Sequence, residues 1–180
     1  MDDMMPLMTR ATEQTAALVR AVPHERLGLP TPCAEFDVRA LISHLEWVAA
    51  MFEALARHEA PAEQGPYAGD FPERARRTLA AWSQPAAWEG VSEGMGLPMT
   101  TLAQMYLVDM VTHGWDLARA TGQAYEPDPE AVERGLRFTE EMAEMGRERG
   151  AFGPAVEVPD DASPLERLLG ITGRDPAWTP

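Results

Sequence analysis

An aspartate and a histidine lie four residues apart in the stretch TTLAQMYLVDMVTHGWDLARATG, residues 100–122. The stretch contains no proline and predicts a helix, on which Asp109 and His113 share one face about one turn apart. Asp116, three residues further on, falls on the same, largely apolar stripe. A carboxylate or imidazole that is buried without a partner costs several kcal/mol, so something must compensate for it. A divalent metal ion is the strongest candidate for that compensating partner.

A mononuclear metal site takes a further protein ligand besides these two and leaves a position open for water or substrate. Asp109 and His113 would supply an oxygen and a nitrogen from adjacent turns of one helix. The next ligand must come from a facing helix, and His44 is the best placed because it lies mid-helix at the edge of an apolar seam. Two imidazoles and one carboxylate suit zinc, nickel or iron, and we favour zinc or nickel.

The same residues also have a simpler interpretation. An aspartate and a histidine four apart on a helix often form an ordinary surface pair worth a few tenths of a kcal/mol. A histidine beside an apolar seam, such as His44, is commonly a hydrogen-bonded residue of the core. Spacing alone leaves the metal site and these alternatives open.

The elements that must position these residues are helices. Helical periodicity and end signals predict segments at about 5–22, 37–58, 70–84, 101–122, 128–150 and 163–170. The predicted N-caps are Asp37, Asp70 with Glu73 three residues on, Thr101 with Gln104, Asp128 before Pro129, and Ser163 with Glu166. Gly122 is the residue type that tolerates the left-handed end of a helix.

The second helical segment carries the clearest seam for a helix bundle. Its apolar residues recur at intervals of 4, 3, 4 and 3: Leu41, Leu45, Val48, Phe52 and Leu55. No strand pattern and no solenoid repeat is present. We therefore predict an all-α protein with a single domain over 1–180. Its helical bundle spans about 5–150, and the extension 151–180 carries enough apolar residues to pack against it.

Composition excludes several classes of protein. The 180 residues carry a formal net charge of −14, and the only basic cluster is RARR at 74–77, so we expect no binding to nucleic acid. Cys33 is the only cysteine, which rules out an intrachain disulfide and fits a reducing compartment. An acidic N-terminus without a signal peptide and the lack of a long apolar run predict a cytoplasmic protein that does not bind membranes.

Three stretches resemble the DinB-like superfamily of metal-binding four-helix bundles, in the branch that contains the metal-binding domain of mycothiol-dependent maleylpyruvate isomerase. They are TPCAEFDVRALISHL (31–45), DMVTHGWDLARATG (109–122) and GRDPAW (173–178). The resemblance implies an up-and-down four-helix bundle. It also implies a divalent ion held by one histidine of the second helix and by an acid-xxx-His pair of a later helix, which map onto His44, Asp109 and His113.

The chain departs from that isomerase in two ways. The isomerase pairs a glutamate with the later histidine, whereas Asp109 is one methylene shorter and would draw the ion closer to the helix or bind it through water. The isomerase also has a further C-terminal domain, for which we expect no room in this sequence. Both departures argue against a simple transfer of the same reaction.

Several other residues have two interpretations each. Asp116 could orient a ligand or pair with Arg119, and Arg39 and Arg174 could meet an anionic substrate or neutralise nearby acids. Cys33 precedes a helix start, where its thiol could be activated, but an inert loop cysteine is the commoner case. We expect the remaining residues of note to play ordinary roles: packing for Trp115 and solvation for His24 and His58.

The function that we favour is a thiol-dependent transferase or isomerase. A metal ion with open positions can hold the sulfur of a low-molecular-weight thiol such as mycothiol as a thiolate, ready to meet an electrophilic substrate. The alternatives are a metal-dependent hydrolase, in which hydroxide takes the open position, and a metal-stabilised stress-response module without catalysis. The sequence leaves a monomer or a homodimer equally open.

Overall fold

The computed structural model describes residues 4–180, which form an all-α fold, as predicted. Its helices are α1 (Met4–Arg20), α2 (Val38–Ala56), α3 (Phe71–Trp82), α4 (Met99–Thr121), α5 (Pro129–Glu148) and α6 (Pro164–Ile171). Two 3-10 turns, His24–Arg26 and Pro85–Trp88, lie in the connections. Within 4–180 there is no β-strand, only two isolated antiparallel bridges. No helix in that range is both long enough and apolar enough to cross a membrane.

Helices α1 to α4 form a four-helix bundle in which α1 and α2 are diagonally opposed. Each of these two helices packs against both α3 and α4, while α5 covers α4 from outside and α6 packs on α5. The predicted seam of α2 is buried along its whole length, from Leu41 to Leu55. It meets large side chains that the other helices contribute to the core, among them Leu7, Met8, Phe71, Trp82, Leu102 and Tyr106.

Three of the predicted N-caps are confirmed. The Asp37 carboxylate accepts a hydrogen bond from the Ala40 N–H at 2.7 Å, and Asp128 accepts one from Ala131 at 3.0 Å. Ser163 and Glu166 form the reciprocal capping box that starts α6. At the other end of α4, Gly122 adopts the left-handed conformation, with φ of 66°.

One predicted cap is wrong and another is correct in position only, and each difference has a local reason. Helix α4 begins at Met99, before the expected cap Thr101, because the extended Pro98 accepts backbone hydrogen bonds from Thr101 and Leu102 and so takes the N-cap position. Asp70 is the N-cap residue of α3, as predicted, but its side chain forms no cap, since its carboxylate binds the Arg74 guanidinium one turn into the helix.

The C-terminal extension packs, as expected. The Val156 N–H donates to the Gly170 carbonyl at 2.9 Å, which ties the segment before α6 to the end of that helix. A Cβ atom at Gly170 would lie 2.7 Å from the Val156 carbonyl oxygen, so the close approach requires glycine there. Beyond α6, Arg119 of α4 donates to the carbonyl oxygens of Pro176 and Trp178. The end of the chain therefore lies along the C-terminal half of α4.

Candidate metal centre

Helices α2 and α4 bring His44 and His113 together. Their ring centroids are 4.9 Å apart, with the ring planes at 75°. His44 also contacts the rings of Phe36 and Trp47, at centroid distances of 5.3 Å and 5.7 Å. Two of the three predicted ligands therefore meet across the interface of α2 and α4, with two aromatic side chains packed beside His44.

His44 has the chemical form of a metal ligand. Burial, together with the neighbouring His113 and Arg174, lowers the pKa of the His44 imidazole to about 3, so the ring is neutral at physiological pH. Neither ring nitrogen of His44 forms a hydrogen bond with any residue of the described chain. The side chain is only partly exposed. A neutral imidazole has one nitrogen with a free lone pair, which is available to an ion or a substrate.

His113 is held through one ring nitrogen. Its Nδ1 lies 3.0 Å from Oδ2 of Asp116, and the side chain is almost fully buried. Burial by itself would lower the pKa of His113, but the hydrogen bonds with Asp116 and Cys33 outweigh it and raise that pKa to about 9. Among residues 4–180, Nε2 of His113 has no hydrogen-bond partner. With a pKa of about 9, His113 carries a proton on this nitrogen at neutral pH, which a bound ion would have to displace.

Asp116 pairs with Arg174 and not with Arg119. Nε of Arg174 lies 2.9 Å and 3.0 Å from the two Asp116 oxygens, and Nη2 lies 2.8 Å from Oδ2. Burial would raise the pKa of Asp116, but Arg174 and His113 bring it down to about 2. The expected alternative of a pair with Arg119 is wrong, because that exposed side chain points to the terminal carbonyls and lies over the ring of Trp115, a packed residue as expected.

Cys33 adds a third potential ligand beside His113 and Asp116. The loop before α2 places it, since the Thr31 hydroxyl donates to the carbonyls of Cys33 and Phe36. One ligand atom from each of Cys33, His113 and Asp116 lies within 4.8 Å of the others, so this Cys/His/Asp group could hold a metal ion. Sequence reasoning missed this group because Cys33 is 83 residues from Asp116 and carries no motif.

The positively charged guanidinium of Arg174 already lies beside that Cys/His/Asp group, however. Nη2 of Arg174 lies 2.8 Å from Oδ2 of Asp116, 3.3 Å from Nδ1 of His113 and 3.5 Å from Sγ of Cys33. The guanidinium therefore contacts all three donors and supplies the positive charge that an ion would bring. An ion on these same atoms would have to displace a buried arginine, so we regard the donors without partners as the better site.

Asp109 lies one turn before His113 and is partly exposed. Burial of its carboxyl group raises the pKa of Asp109, although the charges of His113 and Arg174 oppose this. No side chain or backbone group of the described residues donates a hydrogen bond to this carboxylate. Within the described residues, the ligand atoms that lie within 4.8 Å of one another belong to Cys33, His113 and Asp116, and the structure does not draw Asp109 into a group of that size with His44 and His113.

The other residues singled out from the sequence lie apart from this cluster. Arg39 is exposed, and its guanidinium carbon lies 5.1 Å from the centroid of the Tyr67 ring. His24 is exposed as well. His58 is exposed at the end of α2 and its Nε2 lies 2.9 Å from the Ala86 carbonyl oxygen.

Comparison with known proteins gives a family match and two close relatives. The family model described as the mycothiol maleylpyruvate isomerase N-terminal domain matches residues 8–81, a range that includes His44. Uncharacterized protein MT0763 of Mycobacterium tuberculosis (strain CDC 1551 / Oshkosh) is 34% identical over 182 residues, covering 95% of this chain and 98% of its own length. Uncharacterized protein Rv0738 of Mycobacterium tuberculosis (strain ATCC 25618 / H37Rv) gives the same values. No solved structure matches.

Proposed function

Because the chain belongs to the family of the mycothiol maleylpyruvate isomerase N-terminal domain, within the DinB-like superfamily, we propose that it is a thiol-dependent metalloenzyme. In this proposal His44, Asp109 and His113 hold one divalent ion, zinc or nickel. The co-substrate is a low-molecular-weight thiol such as mycothiol, and the reaction is S-transfer or cis–trans isomerisation of an electrophile.

The observation that supports the proposal is the contact between the His44 and His113 rings, whose centroids lie 4.9 Å apart, together with donor atoms on both rings and on Asp109 that have no partner. His44 uses neither ring nitrogen, His113 uses only Nδ1, and the Asp109 carboxylate accepts no hydrogen bond within residues 4–180. Nearby, Asp116 and Arg174 satisfy each other. Among the described residues, the fully buried side-chain atoms without a partner are Arg134 Nε and Thr139 Oγ1. The free atoms of His44, Asp109 and His113 therefore retain access to solvent and are open to an additional ligand.

The donor set also suits the proposed chemistry. Two imidazoles and one carboxylate form a ligand set that binds zinc or nickel and leaves further positions open. When bound, such an ion would stabilise a coordinated thiol as its thiolate at neutral pH. His44 and Asp109 are both partly exposed, so a small molecule could reach the site from solvent.

The side chains around the ligands have defined roles in this proposal. Asp116 holds Nδ1 of His113 and so directs Nε2 to the ion. Phe36 and Trp47 flank His44 and keep bulk water from one side of the site. Reversible addition of a thiol sulfur to a conjugated cis alkene converts the double bond to a single bond, which can rotate before the sulfur leaves. Attack on a carbon with a leaving group would give S-transfer instead.

Elemental analysis of the purified protein tests the metal site. We expect about one zinc or nickel per chain in the natural protein and in His24→Ala, an exposed histidine that serves as control, and a large loss in His44→Ala and His113→Ala. Equal metal in all four proteins would refute the assignment. Activity is then measured with maleylpyruvate, with and without mycothiol, and with simple esters. Ester hydrolysis without thiol dependence would identify a hydrolase, and inactivity of a metal-loaded protein on all of these would favour a binding module.

A further inference from the structure

We propose that Arg174 is a positioning residue for the metal centre. By holding the Asp116 carboxylate in place, it fixes the His113 imidazole with Nδ1 on the carboxylate and Nε2 as the ligand atom. The inference rests on the proposed function, because the role of Arg174 concerns a metal ligand. The contacts themselves exist in the metal-free protein and can be tested there.

The hydrogen-bond chemistry determines which nitrogen of His113 is free. Asp116 is ionised, since its carboxylate contacts the Arg174 guanidinium at three distances of 3.0 Å or less. An ionised carboxylate only accepts hydrogen bonds, so Nδ1 of His113, 3.0 Å away, must carry a proton and donate it. Nη2 of Arg174, 3.3 Å from the same Nδ1, is then a close neighbour and not its donor. Nε2 is the nitrogen left for a ligand.

The Arg174 guanidinium gives the carboxylate one orientation. Nε spans both Asp116 oxygens, and Nη2 adds a second contact to the oxygen that faces His113. Such a planar, multiply bonded pair restricts rotation of the carboxylate much more than a single point charge would. Asp116 is 0% exposed and Arg174 is 7% exposed, so water does not replace these contacts. The orientation of His113 therefore depends on a residue 61 positions later in the chain.

The backbone after α6 places Arg174. Gly173 has φ of 88°, a left-handed conformation, and the N–H of Arg174 then donates to the Leu169 carbonyl at 2.8 Å. A Cβ atom at Gly173 would come within 2.9 Å of the Gly153 Cα, so a side chain is excluded on both counts. The Gly-Arg pair of the GRDPAW stretch thus turns the chain back toward α4 and directs the guanidinium at Asp116.

The same contacts argue against Arg174 as a binding site for an anionic substrate. Its donors reach Asp116, the Thr172 carbonyl and the Cys33 sulfur, all within the protein. These contacts use four of the five N–H bonds of a guanidinium that is only 7% exposed, which leaves little room for a further anion. Its influence on a ligand or substrate must pass through Asp116 and His113.

A spectroscopic measurement on the metal-free protein tests the positioning role directly. In the natural protein, ¹⁵N-labelled at histidine, we expect the Nδ1 proton of His113 as a downfield, slowly exchanging proton resonance. Arg174→Lys keeps the positive charge but loses the planar contacts, and should broaden or abolish that resonance while the helical circular dichroism is unchanged. Asp116→Asn should have the same effect. If the resonance is missing in the natural protein, or persists in Arg174→Lys, the inference is refuted whether or not metal binds.

Zinc affinity, measured by competition with a chromophoric chelator, provides the second readout. Arg174→Lys and Asp116→Asn should each weaken zinc binding by about 10–100-fold, the usual effect of removing a group that orients a metal ligand. The double variant should be little weaker than either single one, because both act through one contact. Arg167→Gln, which removes an exposed ion pair on α6, is the control and should bind zinc normally.

The outcomes separate this inference from the proposed function. If the natural protein binds no zinc or nickel, the proposed function fails, while the resonance still decides the role of Arg174. Zinc binding that is unchanged in a folded Arg174→Lys overturns the positioning role and leaves the proposed function standing. If Arg174→Lys does not fold, the nitrogen shifts of the zinc-loaded natural protein decide, since a zinc-bound Nδ1 would contradict the inference.

Discussion

The imidazole rings of His44 and His113 pack edge to face, 4.9 Å apart at their centroids, across the interface of α2 and α4. An ion bound between the two helices would therefore join elements that are far apart in sequence. A ligand that binds only the folded state stabilises it by about 2.7 kcal/mol at a concentration 100 times its dissociation constant.

Added zinc should accordingly raise the midpoint of thermal unfolding of the metal-stripped natural protein. The midpoint of His44→Ala should respond little, because one helix alone then holds the ion. His24→Ala should respond like the natural protein. An equal shift in all three proteins would mean that zinc binds elsewhere. The measurement is differential scanning fluorimetry over a zinc series at fixed pH.

Replacing Asp109 should separate metal binding from stability. Burial raises the pKa of Asp109, so its ionised form is disfavoured by folding, and the stability of the metal-free protein falls as pH rises from the unfolded value of about 3.9 toward the folded one. Asp109→Asn has no ionisable group at this position, so its stability does not fall in this way as the pH rises. We expect it to be at least as stable as the natural protein at pH 7 without metal.

The zinc affinity of Asp109→Asn should nevertheless fall by more than about tenfold, since losing a ligand costs more than losing a group that orients one. Asp109→Glu retains a carboxylate and should bind zinc better than Asp109→Asn. Chemical denaturation and chelator competition on the same samples give the two quantities. A destabilised variant with normal zinc affinity would contradict the ligand assignment.

The caps of α4 and α5 give a matched pair of stability tests. Asp128→Ala should lower the free energy of unfolding by about 1 kcal/mol at neutral pH, because the carboxylate caps α5 through Ala131 and also binds Arg10. Thr101→Ala should change it by less than about 0.5 kcal/mol, since Thr101 lies inside α4 and caps nothing.

The effect of Asp128→Ala should also depend on pH. Although burial would raise the pKa of Asp128, its hydrogen bonds with the Ala131 N–H and Arg10 lower it. Its contribution is therefore complete above the unfolded pKa of about 3.9 and is lost as pH falls through the lower folded value. Urea unfolding at neutral and acidic pH measures this, and a difference that grows on acidification would be the wrong sign.

Two helix glycines should respond in opposite directions to alanine. A Cβ atom at Gly114 would lie 2.8 Å from Oγ1 of Thr15 and 3.0 Å from the hydroxyl of Tyr125, and both hydroxyls bind carbonyls of α4. We expect Gly114→Ala to cost about 1–3 kcal/mol of stability. At Gly135 the nearest atoms are 3.5 Å away, so alanine fits, and its higher helix propensity should make Gly135→Ala neutral or stabilising by up to about 1 kcal/mol. Thermal unfolding of both variants provides the comparison.

Local sequence signals predicted the helices well, but they predicted poorly which residues hold the side chains of the site in place. The cap at Asp37 and the left-handed Gly122 follow from the chemistry of a few adjacent residues, so they could be read directly. The N-cap of α4 at Pro98, in place of the predicted cap Thr101, could not be read in this way, because Pro98 obtains its conformation from the preceding loop and its bridge with Val91.

The partners of His113 depend on contacts between distant segments. The position of His44 at the edge of an apolar seam was enough to predict its approach to α4. The pairing of Asp116 with Arg174 was not predictable, because it depends on the path of the chain after α6 and on the left-handed turn at Gly173. Spacing along a helix offered Arg119 as the nearer partner, but it could not show that this side chain points outward.

The contact between Cys33 and Arg174 closes 141 residues of chain. Closing a loop of this length costs more entropy than closing a shorter one, so we expect this contact to form after the nearer helices have associated. A species with α1 to α4 already collapsed would have its apolar seam in place while Asp116 still lacked its guanidinium. The chemistry of this protein would then be the last property that the chain acquires as it folds and among the first that it loses when its C-terminal segment detaches.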